Sequence, residues 1–354
     1  MGCHGSPTCQ IEFEDAEGWL IGTPNRGLNH MFTFINTSRV GTAVQGVAAA
    51  ERAFQHSLWY CKERRSMRAL SGAKEPSAVA DAIIHHPAVR TMLLTQKAIA
   101  EGGRSMVYEC AMLADKMFDA EKAGDDAAAK HIDERLAFLT PILKGFLTEA
   151  GKEAADLAIQ AYGGHGFIKD NKVEQVFRDV RIAALWEGTT QIQALDLLGR
   201  KVMLQKLKPI AEHCAALRGL CRPLLFSSER GLRTRAWSLL GHALEWQLLT
   251  YRIAMRAATD KEWIAASSVD YLMYGGYVTL AAHWLRMEAA AVRARSAGDG
   301  AAEERAFYDA KVHTSAFVFD KLLPRTRSHK ASMLAPISSV MAMDPAHFSF
   351  DHAQ

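Results

Sequence analysis

A single carboxylate, Glu187, stands between Trp186 and Gly188, directly before Thr189 and Thr190. Thr190 and Gln193 have the spacing of a capping box, which predicts a helix start at this point. Glu187 then falls in a short irregular link, beside a helix N-terminus and a large aromatic ring. That is a setting in which a carboxylate is held partly dry and serves as a general base. The same placement suits a residue that only complements the helix dipole, so spacing alone leaves both readings open. Upstream, Gly163-Gly164-His165-Gly166 closes a helical stretch. Glycines there let a backbone approach a ligand closely, or simply let the chain reverse.

The rest of the chain must position these residues. It has 354 residues, 49% hydrophobic and 23% charged, with a net charge of +3 and both signs interspersed. This is the balance of a soluble globular protein long enough for two domains, and it implies neither a nucleic-acid nor a membrane partner. Six cysteines, at 3, 9, 61, 110, 214 and 221, show no paired spacing. They read as reduced thiols of a cytoplasmic protein, with no metal site. The most apolar run, 271–287, contains Gly275, Gly276, His283 and Arg286. It is shorter than the ~20 residues of a membrane span and reads as a buried helix.

The pattern predicts a mainly α protein. Residues 9–23 alternate apolar and acidic side chains and read as strand. From about Leu28 onward apolar residues recur at helical spacing. Thr140-Pro141 reads as an N-cap with proline at the first helical position, opening a helix that stops at Gly163. Gly124-Asp125-Asp126 and Gly298-Asp299-Gly300 read as loop tips, and residues 71–76 as an exposed connection. The expected division is a β remnant over 1–27, a helical bundle over 28–203 and a second helical bundle over 204–354. The opening MGCHGSPTCQ admits an acylation signal at Gly2, the start of a Cys/His metal site, or the interior of a larger domain.

Three separate segments then fall in one order. They are Gln160-x-x-Gly163-Gly164-x-Gly166-Phe167, Val176-Phe177-Arg178-Asp179-x-Arg181-Ile182 and Glu187-Gly188-Thr189-x-Gln191-Ile192-Gln193. This set resembles the C-terminal signature of flavin-dependent acyl-CoA dehydrogenases, and the 27 positions from Gln160 to Glu187 fit its spacing. Arg39, Gly46, Ala50, Tyr60 and the cluster Glu63–Met67 resemble the first long helix of the same domain. The second bundle resembles the extra C-terminal domain of larger bacterial members. The resemblance implies FAD as cofactor and α,β-dehydrogenation of an acyl-CoA thioester. Glu187 would remove the α-proton while the β-hydrogen leaves as hydride to flavin N5. It implies FAD contacts from Arg64, Ser66, Gln160, Gly163, Gly164, Thr189 and Gln191, and substrate contacts from Arg39, Trp186 and Gly188. It also implies an electron-transferring flavoprotein as acceptor and a homodimer or larger assembly, or a partner chain supplying missing domains. Arg178-Asp179 reads as a structural ion pair. By the same resemblance MGCHGSPTC matches a strand inside the family's middle β domain. The chain is therefore expected to be a truncated or split form, with Met1 an internal methionine used as a start. Such a chain alone is expected to expose apolar surface and to bind FAD poorly. A non-catalytic helical interaction protein of the same descent is the competing expectation.

Overall fold

The computed structural model describes residues 1–297 and 302–349, apart from the side chains of residues 32–34, 36, 37 and 297. The expected loop tip at residues 298–300 lies outside the described residues. The long helices are α1 (Gly27–Glu63), α2 (Pro87–Lys122) and α3 (Asp126–Tyr162). Short helices α4 (Val173–Val180) and α5 (Thr190–Leu195) follow. Then come α6 (Lys208–Cys221), α7 (Arg230–Ala257), α8 (Glu262–Ala297), α9 (Ala302–Phe317) and α10 (Thr326–Leu334). The mainly α expectation holds. The strand over 9–23 does not form: these residues are irregular, and Ile11, Phe13, Trp19 and Ile21 face outward. An alternating pattern becomes a strand only when a neighbour completes its ladder, and no partner strand exists among the described residues.

Two compact units divide the chain. One comprises residues 1–107 and 147–189, the other residues 108–146 and 190–354. Helices α2 and α3 each contribute residues to both units.

In the first unit, small residues set the spacing of α1 and α3. A Cβ added at Gly46 would lie 2.3 Å from the Leu147 carbonyl oxygen, and one at Gly151 would lie 2.5 Å from that of Gly46. The two backbones therefore touch, and Ala43, Ala50, Ala154 and Ala158 are buried nearby in the sequence of the same helices. Val176 and Val180 of α4 pack on Ala155. The expected helix start at Thr140 is not found, because α3 runs through Pro141 without a break. Ile142, Leu143, Phe146 and Leu147 are all buried just after it. Burial of four such side chains outweighs the ~3 kcal/mol penalty of an internal proline. Thr140 Oγ1 donates instead to the Leu136 carbonyl at 2.7 Å. The end of α3 falls as expected, with Gly163 at φ 59°.

In the second unit, α8 is the buried helix anticipated over 271–287. Its paired glycines receive aromatic rings: a Cβ at Gly275 would meet Trp246 at 2.5 Å, and one at Gly276 would meet Phe146 at 2.2 Å. The polar residues of this stretch are matched. Glu109 takes His283 Nε2 at 3.0 Å and Arg286 at 2.8 Å, and also pairs with Arg135. No helix among the described residues is long and apolar enough to cross a membrane.

His213 packs against the rings of Phe138 and Trp246, with Nε2 buried and without a hydrogen-bond partner among the described residues. Burial lowers its pKa from 6.5 to about 4. Burial also lowers that of His283. Between pH 6.5 and 4 the unfolded chain binds a proton at His213 that the folded chain refuses. Stability is therefore complete above about pH 6.5 and declines as the pH falls toward 4. The melting temperature is expected to drop over this window, and to drop less in His213→Phe. Equal drops in both proteins would refute the assignment to His213.

Candidate active site

Glu187 follows the tight turn Arg181–Ala184 and precedes α5. Its φ is 54° and that of Gly188 is 98°. Two successive left-handed residues reverse the chain. For glycine this is free, but for glutamate it costs on the order of 1 kcal/mol. The reversal brings the half-buried Glu187 against α1, where Thr42 Oγ1 donates to Oε2 at 2.7 Å. Arg39 is buried one turn earlier on α1, three residues from Thr42. Trp186 is 37% exposed beside Glu187, so its ring is free to form a wall. Thr189 is half-buried, and Thr190 opens α5 as the capping-box spacing predicts.

A second group of residues gathers at the far end of α1. The Tyr60 and Tyr162 rings stack with centroids 4.1 Å apart, and Tyr60 Oη lies 3.2 Å from His165 Nδ1. This joins the C-terminus of α1 to the glycine turn after α3. Arg64 caps α1, its N–H donating to the Tyr60 carbonyl at 2.8 Å. Arg64, Ser66, Gln160, Gly163 and Gly164 are all exposed at this end. A Cβ at either glycine would meet only open space, so these positions leave room for a ligand. Gln191 is exposed on α5. Thr42 and Tyr60 are 18 residues apart on one continuous helix, so the two groups stand about 27 Å apart along it.

The loop after Arg64 is organised by Asp81, whose carboxylate is fully buried. It accepts the N–H groups of Ala69, Lys74 and Glu75 at 2.8 to 2.9 Å and pairs with Arg68 at 3.2 Å. The Ala69 N–H and these further donors hold its carboxyl far below the usual range. Sequence reasoning passed over both Asp81 and Thr42. Asp81 carries no local signal. Nor does Thr42, whose contact with Glu187 spans 145 positions of sequence.

One expected contact is corrected. Arg178 pairs with Glu174, one turn back on α4, rather than with Asp179. Asp179 accepts the Cys3 N–H at 2.7 Å, and Arg178 donates to the Met1 carbonyl. Adjacent side chains on a helix point 100° apart, which favours the i,i+4 partner.

The comparisons agree with this architecture. The family model described as acyl-CoA dehydrogenase, C-terminal domain, matches residues 25–203, and one described as acetyl-CoA dehydrogenase C-terminal like matches residues 207–344. The chain is 37% identical over 319 residues to 3-methylmercaptopropionyl-CoA dehydrogenase of Ruegeria pomeroyi, covering 89% of this chain and 52% of that protein. It is 30% identical to the broad-specificity linear acyl-CoA dehydrogenase FadE5 of Mycobacterium tuberculosis, covering 98% of this chain and 58% of that one. The chain thus spans little more than half the length of these relatives. An acyl-CoA dehydrogenase of Bacillus anthracis solved with FAD shares the fold at a TM-score of 0.65 and 19% identity, covering 87% of this chain and 50% of that one. The chain belongs to the acyl-CoA dehydrogenase family, oxidoreductases whose cofactor is FAD.

Proposed function

We propose that this chain carries the catalytic base and part of the FAD site of an enzyme that dehydrogenates acyl-CoA thioesters between Cα and Cβ. One observation supports this above all. Glu187 is held at a left-handed backbone conformation that glutamate avoids, with one carboxylate oxygen fixed 2.7 Å from Thr42. Strain of this kind persists where the surroundings over-determine it, and it concentrates at functional sites. A carboxylate that only complements a helix dipole has no need of it.

Glu187 takes the α-proton of the thioester onto its carboxylate. Thr42 fixes the orientation of that carboxylate by donating to Oε2. Trp186 and Gly188 shape the pocket around the acyl chain, and Arg39 lies toward the CoA end. FAD, when bound, supplies the acceptor for the β-hydrogen. Its holding residues fit the chemistry of a dinucleotide. Arg64 offers a forked donor to pyrophosphate, Ser66 a hydroxyl and Gln160 an amide, while Gly163 and Gly164 leave space for close approach. Thr189 and Gln191 add donors and acceptors for the cofactor. About 27 Å along α1 separates Thr42, beside Glu187, from Tyr60 near the Arg64 end. That distance favours an assembly of at least two subunits, in which each end completes a different FAD site. An electron-transferring flavoprotein is the proposed acceptor; a caffeyl-CoA reductase of Acetobacterium woodii, 27% identical over 202 residues, is named as part of an Etf complex.

Anaerobic addition of acyl-CoA thioesters to the flavin-loaded protein tests this. The expected result is bleaching of the visible flavin absorbance by at least one chain length. Flavin that stays oxidised with every thioester from short to long chain would overturn the reading.

A further inference from the structure

Helix α7 carries two apolar stripes. Leu232, Leu239, Ala243, Trp246 and Ile253 are buried within the second unit. On another side Trp237, Leu244, Leu248, Tyr251 and Met255 are between 45% and 67% exposed. With Gly241, these outer positions advance by four, three, four, three and four residues. That is the 3.5-residue rhythm by which one helix receives another. It runs over 18 residues, about 27 Å of helix.

A groove lies alongside. Helices α7 and α10 are bridged by the pair Lys330–Glu245 and by Arg256, which donates to the Leu334 carbonyl at 3.2 Å. Trp237, Gly241, Arg327 and Ala331 are among the residues lining a hollow of about 700 Å³. A second hollow of about 400 Å³, lined by Arg252, Met255 and Arg256, shares Leu334 with the first. The two form a trough beside the apolar stripe.

The charge of this trough is one-sided. Arg252, Arg256, Arg327 and Lys330 line its two hollows, against one acidic residue, Glu245. Glu245 is already engaged by Lys330 and by the Tyr274 hydroxyl at 2.9 Å. Arg252 and Arg327 meet no carboxylate among the described residues. Arg256 stacks over Trp263 at 4.3 Å and, among the described residues, donates to a carbonyl and to no carboxylate. Cations left without acids beside an apolar strip invite a ligand that brings both carboxylates and apolar side chains.

We propose that this groove docks an acidic amphipathic helix of a partner protein. Its apolar residues, spaced by 3.5, would lie on the α7 stripe, and its flanking Glu or Asp side chains would face Arg252, Arg256 and Arg327. This is helix-in-groove recognition. The concave shape argues against a lipid surface, which is flat on this scale and cannot enter between two helices. The charge argues against a parallel pairing with a second copy of this chain, since α7 laid on α7 in that direction sets Arg252 and Arg256 against the same residues of the other copy.

The test uses the whole chain and a fluorescein-labelled peptide of three heptads, with Leu at the a and d positions and Glu at the flanking ones. A peptide with Lys in place of Glu is the control. Fluorescence anisotropy needs neither flavin nor substrate, so it reads the groove independently of the proposed activity. Saturable binding of the acidic peptide, absent with the basic one, is expected. Affinity should fall about tenfold or more in Arg252→Glu/Arg327→Glu. A Leu248→Gln variant should weaken it as well. All three altered positions are exposed, and an unchanged far-UV spectrum confirms that the fold is kept. The proposal is overturned by no binding, by equal binding of both peptides, by binding unmoved by the charge reversal, or by an interaction seen only with vesicles of phosphatidylcholine and phosphatidylglycerol. Self-association abolished by Leu248→Gln, with no peptide binding, would overturn it in favour of a dimer.

Discussion

Glu187→Gln in the flavin-loaded protein is expected to lower kcat by about 10²- to 10⁴-fold, the usual contribution of a positioned base. The amide keeps the size and the link to Thr42 but cannot accept the α-proton. The visible flavin spectrum and the melting temperature should stay near those of the unchanged protein. Activity within tenfold of it would remove Glu187 from the chemistry. Thr42 gives a graded comparison. A hydrogen bond to a charged group contributes about 1.5–3 kcal/mol, so Thr42→Val is expected to cost about tenfold or more in kcat, while KM changes little. Thr42→Ser, which restores the hydroxyl, should recover most of the loss. A merely structural threonine would not show that recovery, because serine restores the donor without the lost methyl packing. If serine and valine behave alike, Thr42 does not orient the base.

How much of this was legible from sequence depends on what fixes each feature. The helical fold was legible because apolar periodicity is a local signal that the packed structure reinforces. The glycine turn at 163 was legible for the same reason, since a left-handed residue there needs glycine and the sequence supplies it. The continuation of α3 through Pro141 was not legible. Thr-Pro looks like a start, and only the burial of the four apolar side chains after it reverses that preference. The alternation over 9–23 misled in the opposite sense, because a strand is stabilised by its neighbour and not by its own pattern. At the site, Glu187 could be placed from its neighbours, but its partner could not. Thr42 lies 145 residues away in sequence, and its contact depends on two facts that emerge only in three dimensions. One is the close crossing of α1 and α3 at Gly46 and Gly151. The other is the left-handed turn at Glu187, which no residue type at that position announces.

The buried charges of the second unit carry the second large effect. Glu288 is 1% exposed on α8. Arg235 of α7 meets it with both Nε, at 2.6 Å to Oε2, and Nη2 to Oε1. Ser315 of α9 donates to Oε2 at 2.7 Å. One carboxylate thus ties three helices together through a bidentate pair and a hydroxyl. Glu288→Ala removes the only acidic partner that Arg235 has among the described residues and leaves the guanidinium largely enclosed. Breaking a buried pair in this way costs about 3–5 kcal/mol, which is a large part of the 5–15 kcal/mol that holds a typical domain folded. The expected outcome is a marked fall in the urea midpoint. The Ser315→Ala change should cost only about 1 kcal/mol, the loss of a single hydrogen bond. The pair itself is not the main source of stability, because removing two charges from water costs nearly what their attraction returns. Arg235→Met/Glu288→Leu, which replaces both by apolar groups of similar size, is therefore expected to recover most of the loss suffered by Glu288→Ala. A double variant as unstable as the single one would mean that α7, α8 and α9 are held by the charges themselves and not by the packing around them.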